Sequence, residues 1–386
     1  MNEICKRTVL FCGTGGMLLA GWRAVPLMES VQIGHVREAV PAEAVLPEAP
    51  QASAAETLPE QPDGTGIYTK PVLLAPPAEP DAAAASCIID RESDGSKAMW
   101  YARPYQSGET GSGGEIVDRH FTSQDGTLFF SLPGGGQVRN STFWTNEQLL
   151  EESKIPPELP LKTDGTPMVL IYHTHTTESY MPEKTGRYDD SFSFRTTEPD
   201  KNMVKIGDRI AEQLAARGIG AVHAKEIHDY PVWGGSYRNS AETVRQMLAE
   251  YPDICIALDI HRDAISDGKT VVAPVADING KQAAQIMIIS GCDDGTMDMP
   301  EYRKNFHFAS RLQQTAETMF PGFTRPILFD YRKYNQDLTA GSLLIEVGSQ
   351  GNTLEEAGYA GELIGKALAE TICTLADARK GDTSDE

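Results

Sequence analysis

Four short apolar runs, MVLIY at 168–172, ICIALDI at 254–260, QIMII at 285–289 and SLLIEV at 342–347, are interspersed with stretches of helical period. Runs of that length suit buried strands. Between them, Lys201–Arg217 repeats apolar residues at Met203, Ile206, Ile210 and Leu214 and stops at Gly218, the residue type that most readily ends a helix. Ile219–His223 reads as a further strand. AETVRQMLAE reads as a helix capped by Ser240, Tyr302–Met319 as a long amphipathic helix and Thr353–Ala376 as a terminal one. Strands alternating with helices predict an α/β fold, a mainly parallel sheet flanked by helices.

That pattern occupies 162–379, which we take as one catalytic domain; 380–386 reads as a disordered tail. The segment 87–161 mixes short apolar runs with a glycine cluster and reads as a small leading subdomain or a set of embracing elements. Gly134–Gly136 follows a proline and opens no helix, so it predicts a turn and not a phosphate loop. Residues 30–86 are rich in Pro, Ala and Glu and bury too little apolar surface to fold, so they predict an extended tether. Residues 1–29 carry Lys6 and Arg7 before an apolar stretch from Thr8 to Trp22. Such a stretch reaches about 22 Å as a helix, against a hydrocarbon core of roughly 30 Å. It reads as a membrane anchor or signal segment, and an uncleaved anchor is favoured. The charge rule then places the remainder on the extracytoplasmic side.

The formal charge of -21 argues against nucleic acid as a partner, since no basic stripe is present to neutralise phosphates. The six cysteines have neither zinc-finger nor CxxC spacing and read mostly as small buried hydrophobes. No Gly-x-Ser-x-Gly elbow supports a serine hydrolase.

Ligands of open α/β sheets gather beyond the carboxyl ends of strands. Three predicted strands run into ionisable residues there: MVLIY into His173-Thr174-His175-Thr176-Thr177-Glu178, ICIALDI into His261-Arg262-Asp263, and SLLI into Glu346. His175 and Glu178 fit one tight turn, and His261 adds a third ligand from another strand. Two imidazoles and one carboxylate leave an open position for water, the catalytic form of a Zn2+ site. Glu346 is the candidate general base, and Arg262 a candidate clamp for a carboxylate or oxyanion. His173 is assigned to the surroundings of the ligands, Asp263 to orienting His261 or holding Arg262, and Asn335 to a loop lining the cleft.

The stretches LIYHTHTTESYMP, NMVKIGDRIAEQLAARGI, EIHDYPVWGGSYRNSAETV, ALDIHRDA and YNQDLTAGSLLIEVGSQGNTLEEA resemble, in that order, the stage II sporulation protein P family of peptidoglycan hydrolases. The resemblance covers roughly 166–376. It implies an N-acetylmuramoyl-L-alanine amidase with an additional endopeptidase activity, acting in engulfment during sporulation. It also implies a lytic transglycosylase partner, a membrane scaffold protein, and a fold similar to zinc amidases and zinc carboxypeptidases. Carried over residue by residue, the ligands are His175, Glu178 and His261 and the base is Glu346. Zinc amidases also allow the acidic ligand to open the following helix, which points to Glu198 or Asp200. The rival readings are a zinc peptidase acting only on wall peptides and a non-catalytic wall-binding scaffold.

Overall fold

The computed structural model describes residues 87–91 and 113–382. The anchor, the whole of the tether and residues 383–386 of the tail lie outside the described residues. In chain order the elements are β1 (Ile88–Arg91), β2 (Glu115–Arg119), β3 (Phe129–Ser131), β4 (Gln137–Asn140), α1 (Asn146–Glu152), β5 (Pro167–Tyr172), α2 (Met203–Ala215) and β6 (Gly220–Ala224). They continue with α3 (Ser236–Glu250), β7 (Ile256–Asp263), β8 (Thr270–Ile278), β9 (Lys281–Ala284), β10 (Ile286–Gly291), α4 (Tyr302–Met319), β11 (Ile327–Asp330), β12 (Gly341–Ser349) and α5 (Leu354–Asp382). Among the described residues no helix is long and apolar enough to cross a membrane.

Nine strands form one sheet in the order β1-β6-β5-β7-β12-β10-β11-β4-β3, and β2, β8 and β9 form a second. In the large sheet every neighbouring pair is parallel except β12–β10 and β4–β3. The fold is therefore mixed α/β with a mostly parallel central sheet, as the alternation of apolar runs and helices predicts. The segment 87–161 does not stand apart as a subdomain. β1 pairs with β6 at one edge and β3–β4 complete the other, because their short strands find partners only on the main sheet.

Both faces of the central strands are covered, which is why their sequences are continuously apolar and not alternating. On β5, Val169 and Ile171 join the larger core with Ile206, Ile210 and Leu214 of α2 and Leu363, Ala367 and Leu368 of α5. Leu170 and Tyr172 point the other way, to Val244 and Met247 of α3. Each such side chain, fully withdrawn from water, contributes roughly 1.5–3 kcal/mol before entropy. α3 begins earlier than its apolar pattern suggests. It starts at Ser236 after Gly235 (φ 91°), so Ser240 is an interior residue and not the cap. Its hydroxyl instead meets Thr174 Oγ1 at 2.6 Å, tying α3 to the end of β5.

Candidate metal and catalytic site

β5, β7 and β12 are adjacent and parallel, so their carboxyl ends share one rim of the sheet. The register sets His261 directly beside Glu346. Strand side chains alternate between faces. Ile256, Leu258 and Ile260 of β7 enter the larger core, so Asp259 and His261 turn to the α3 side. Leu343, Ile345 and Val347 likewise send Glu346 to that same side.

Beyond β5 the chain makes a tight turn closed by the Glu178 amide donating to the His175 carbonyl at 3.0 Å. The turn returns Glu178 to the strand ends, where its Oε2 lies 3.6 Å from His261 Nδ1 and accepts the Arg262 amide at 3.2 Å. The rings of His175 and His261 meet edge to face at 5.2 Å between centroids. His175, Glu178 and His261 are all buried, and these contacts bring the turn at 175–178 against the end of β7.

Their electrostatics separate their roles. Burial pushes the His175 imidazole down to about 4, leaving it neutral at pH 7. Its Nδ1 is buried, has no hydrogen-bond partner, and stands 4.0 Å from Asp229 Oδ2. Burial works against the charge on Glu178, but Arg262, His175, His261 and Arg195 outweigh it and hold the carboxyl below its ordinary range. For His261, burial is likewise overcome, chiefly by Asp259 and then Glu178, and its pKa rises to about 9. Glu346 behaves oppositely. Burial and then Asp263 push it up to about 8, and its Oε2 is buried without a partner.

Asp259 is the residue that the sequence reading passed over. Its carboxylate accepts the Thr174 amide at 2.8 Å and the Thr174 hydroxyl at 2.6 Å, and Oδ1 lies 2.9 Å from His261 Nε2. The last contact is an ion pair without hydrogen-bond alignment. A carboxylate on the far nitrogen of a ligating histidine fixes which nitrogen is offered to the metal, here Nδ1. The signal was available, because residues two apart on a strand share a face.

Asp263 does not take that orienting role. Its carboxylate is held by Arg325 Nη1 at 2.8 Å and by the Ala264 amide. Arg262 is no open clamp either: its guanidinium donates to the carbonyls of Ser179, Phe194 and Asp263, fastening the turn and the loop before α2. The arginine with spare donors is Arg325, whose buried Nε and Nη2 are unpartnered. It precedes β11, which runs opposite to β12 and so begins at the same rim.

His173 faces the other side of the sheet. Its Nδ1 bonds the Ile260 carbonyl at 3.1 Å and its Nε2 meets His223 Nε2 at 3.0 Å, with Gly207 of α2 packed against both rings. Burial, then His223, pushes its pKa down to about 3. Asp200 is exposed and Glu198 pairs with Lys201, so neither joins the cluster. Asn335 donates to the Tyr237 carbonyl and to Ser240 Oγ, fixing the loop to α3 and not facing the cleft.

Among the described residues the trio of potential ligands drawn within 4.8 Å of one another is Asp90, Asp208 and His223. It already holds a cation, since Lys225 Nζ lies 3.1 Å from Asp90 and 3.2 Å from Asp208. His175, Glu178 and His261 sit more openly. They nevertheless suit zinc by donor type, by burial and by the unpartnered Nδ1 of His175.

A family model described as stage II sporulation protein P matches residues 136–369. A stage II sporulation protein P from Bacillus subtilis (strain 168) is 29% identical over 236 residues, 58% of this chain and 56% of that protein. The match thus spans little more than half the length of the relative. Among solved structures, the N-acetylmuramoyl-L-alanine amidase AmiC2 of Nostoc punctiforme is 13% identical with a TM-score of 0.33, covering 54% of this chain and 97% of that one. The CwlD amidase of Clostridioides difficile, solved in complex with the GerS lipoprotein, is 11% identical with a TM-score of 0.34, covering 55% and 99%. A metallo-carboxypeptidase from Burkholderia cenocepacia is 9% identical with a TM-score of 0.30, covering 60% and 70%.

Proposed function

Because the chain belongs to the stage II sporulation protein P family, we propose that it is a zinc-dependent peptidoglycan hydrolase cleaving the amide between the muramic acid lactyl group and L-alanine. The observation that carries this reading is the register of β7 and β12. It seats His261 beside Glu346 on the rim where His175 and Glu178 return. His175, Glu178 and His261 would hold the metal. Bound there, zinc supplies Lewis acidity toward a carbonyl and lowers the pKa of a water.

The remaining work falls to the side chains. Glu346 accepts a proton from the attacking water and returns it to the departing amine. Its Oε2, buried without a partner beside His261, is free to take part in both directions of transfer. Asp259 holds His261 in one orientation, and Thr174 holds Asp259. Tyr237 stacks on His261 at 6.3 Å and Tyr334 on Tyr237 at 5.2 Å, walling that side of the site from water. Acting on the wall during sporulation, the enzyme would be attached by its N-terminal segment to the outer face of a membrane.

Digestion of purified sacculi tests the reading. The wild-type chain releases stem peptides bearing free L-alanine amino termini, read by mass spectrometry. Chelation and Glu346→Gln abolish the release, while Glu346→Gln still binds sacculi. Products cut only within the stem would replace the amidase with a peptidase, and undiminished release by Glu346→Gln would remove the assigned base.

A further inference from the structure

We propose that the cleft beside His175 is a saccharide subsite in which Trp233 is the platform for a pyranose ring of the glycan strand. The proposal rests on the reading of the site as a peptidoglycan hydrolase and names the part of the substrate that lies on this flank.

The cleft has a volume of ≈ 510 Å³ and is lined by Thr177, Arg195, Asp229, Tyr230, Pro231 and Trp233. It adjoins the ligand cluster directly, since the Trp233 indole lies parallel to the His175 ring at 5.2 Å and 12°. An indole of this size would ordinarily be covered, yet Trp233 is 45% exposed and its neighbour Val232 is 67% exposed. A Cβ added at Gly234 would meet nothing within 4 Å, so the lip is open.

The polar wall is built and fixed. Arg195 Nη1 donates to Asp229 Oδ2 at 2.7 Å, and the same carboxylate accepts the Thr177 amide and hydroxyl. The Arg195 guanidinium carbon lies 5.8 Å from the indole centroid, and the side chain remains 29% exposed. A flat aromatic face beside a guanidinium–carboxylate pair matches a sugar, whose ring has an apolar C–H face and equatorial hydroxyls that both donate and accept.

Two features favour the glycan over the stem peptide. None of the six lining residues belongs to a strand, so the cleft lacks the open sheet edge that receives an extended peptide. Arg195 is also already flanked by two carboxylates, Asp229 at 2.7 Å and Glu178 at 3.4 Å. A stem-peptide carboxylate entering here would meet a cation that is neutralised and two like charges. A neutral pyranose meets neither cost.

The test titrates the full-length Glu346→Gln protein by calorimetry with the uncharged tetrasaccharide of N-acetylglucosamine, and separately with free stem peptide. We expect the tetrasaccharide to bind, Trp233→Ala to weaken it by roughly tenfold or more, Trp233→Phe to retain most of it, and stem-peptide affinity to hold. Tryptophan fluorescence gives a second readout that needs only the conservative variant: the sugar should perturb emission in the parent and not in Trp233→Phe. Absence of tetrasaccharide binding, or equal binding by Trp233→Ala, overturns the subsite, as does a loss confined to the stem peptide. If the wild-type chain still holds zinc and digests sacculi in that event, the subsite alone falls. If it does neither, the hydrolase reading falls as well.

Discussion

Replacing Asp259 with Asn removes one charge from a fully buried carboxylate and leaves its shape. The structure predicts where that charge acts. Asp259 is the main influence raising the His261 pKa from 6.5 to about 9, a preference for the protonated ring of roughly 3 kcal/mol. At pH 7.5 the metal-free wild type therefore carries a protonated His261, whereas His175, held at about 4, is already neutral and Glu178 is already ionised. Zinc must displace the His261 proton, so uptake should release about one proton. In Asp259→Asn that release should fall toward zero. The pH-independent affinity, for the deprotonated ring, should also drop about 10–100-fold, because the ligand loses the anion that orients it. Calorimetry in two buffers of different ionisation enthalpy measures the release, and chelator competition measures the affinity. Both are best done in the Glu346→Gln background, which removes the other carboxyl poised near neutrality. The sign extends to stability. A raised histidine pKa stabilises the metal-free fold fully below pH 6.5, and that contribution is lost as pH rises through about 9. Urea titrations of the chelated protein should show this decline in the wild type and a flatter profile in Asp259→Asn. Equal proton release, equal zinc affinity and an unchanged pH profile would refute the reasoning.

Three further outcomes follow from neighbouring contacts. Asp263→Asn removes a charge that raises the Glu346 pKa, so the acidic limb of kcat/KM should move to lower pH, as a pH–rate profile would show. Arg325→Met strands the buried Asp263 carboxylate and should cost about 3–5 kcal/mol in urea unfolding, with Arg325→Met/Asp263→Asn recovering part of the loss. Gly207→Ala would place a Cβ 2.3 Å from His223 Nε2 and 2.9 Å from His173 Nε2. It should destabilise by about 1–3 kcal/mol while zinc content holds, because that histidine pair lies on the opposite face from the ligands.

The strands bearing the site were legible because burial on both faces leaves unbroken apolar runs, and those runs end where the chain turns polar. MVLIY and SLLIEV mark β5 and β12 to within a residue or two, and Tyr302–Met319 is α4 itself. Strand direction was not legible. QIMII looks like its parallel neighbours, yet β10 runs antiparallel to β12, since a run buried on both faces carries no sign of its sense. The strands β1 to β4 went unmarked because runs of three to five residues lack a strong period, and β8 of the β8–β9 hairpin because Pro274 interrupts its apolar run. At the site, the residues immediately after strands were readable, while most of those deciding orientation were not. Asp259 was marked only by standing two residues before His261, inside an apolar run. Asp229 and Trp233 come from a loop whose path depends on how α3 docks. Arg262 does not take its expected role, since backbone carbonyls that become free only in the folded turn consume its donors, and the spare donors belong to Arg325, for which the sequence offered no expectation.

The most direct measurement is the metal content of the purified chain and of its His175→Ala, Glu178→Gln and His261→Ala forms, by elemental analysis after gel filtration. One equivalent of zinc in the parent, and little in each folded variant, is what a site built from these three side chains predicts. Zinc retained at full stoichiometry by all three variants would contradict it.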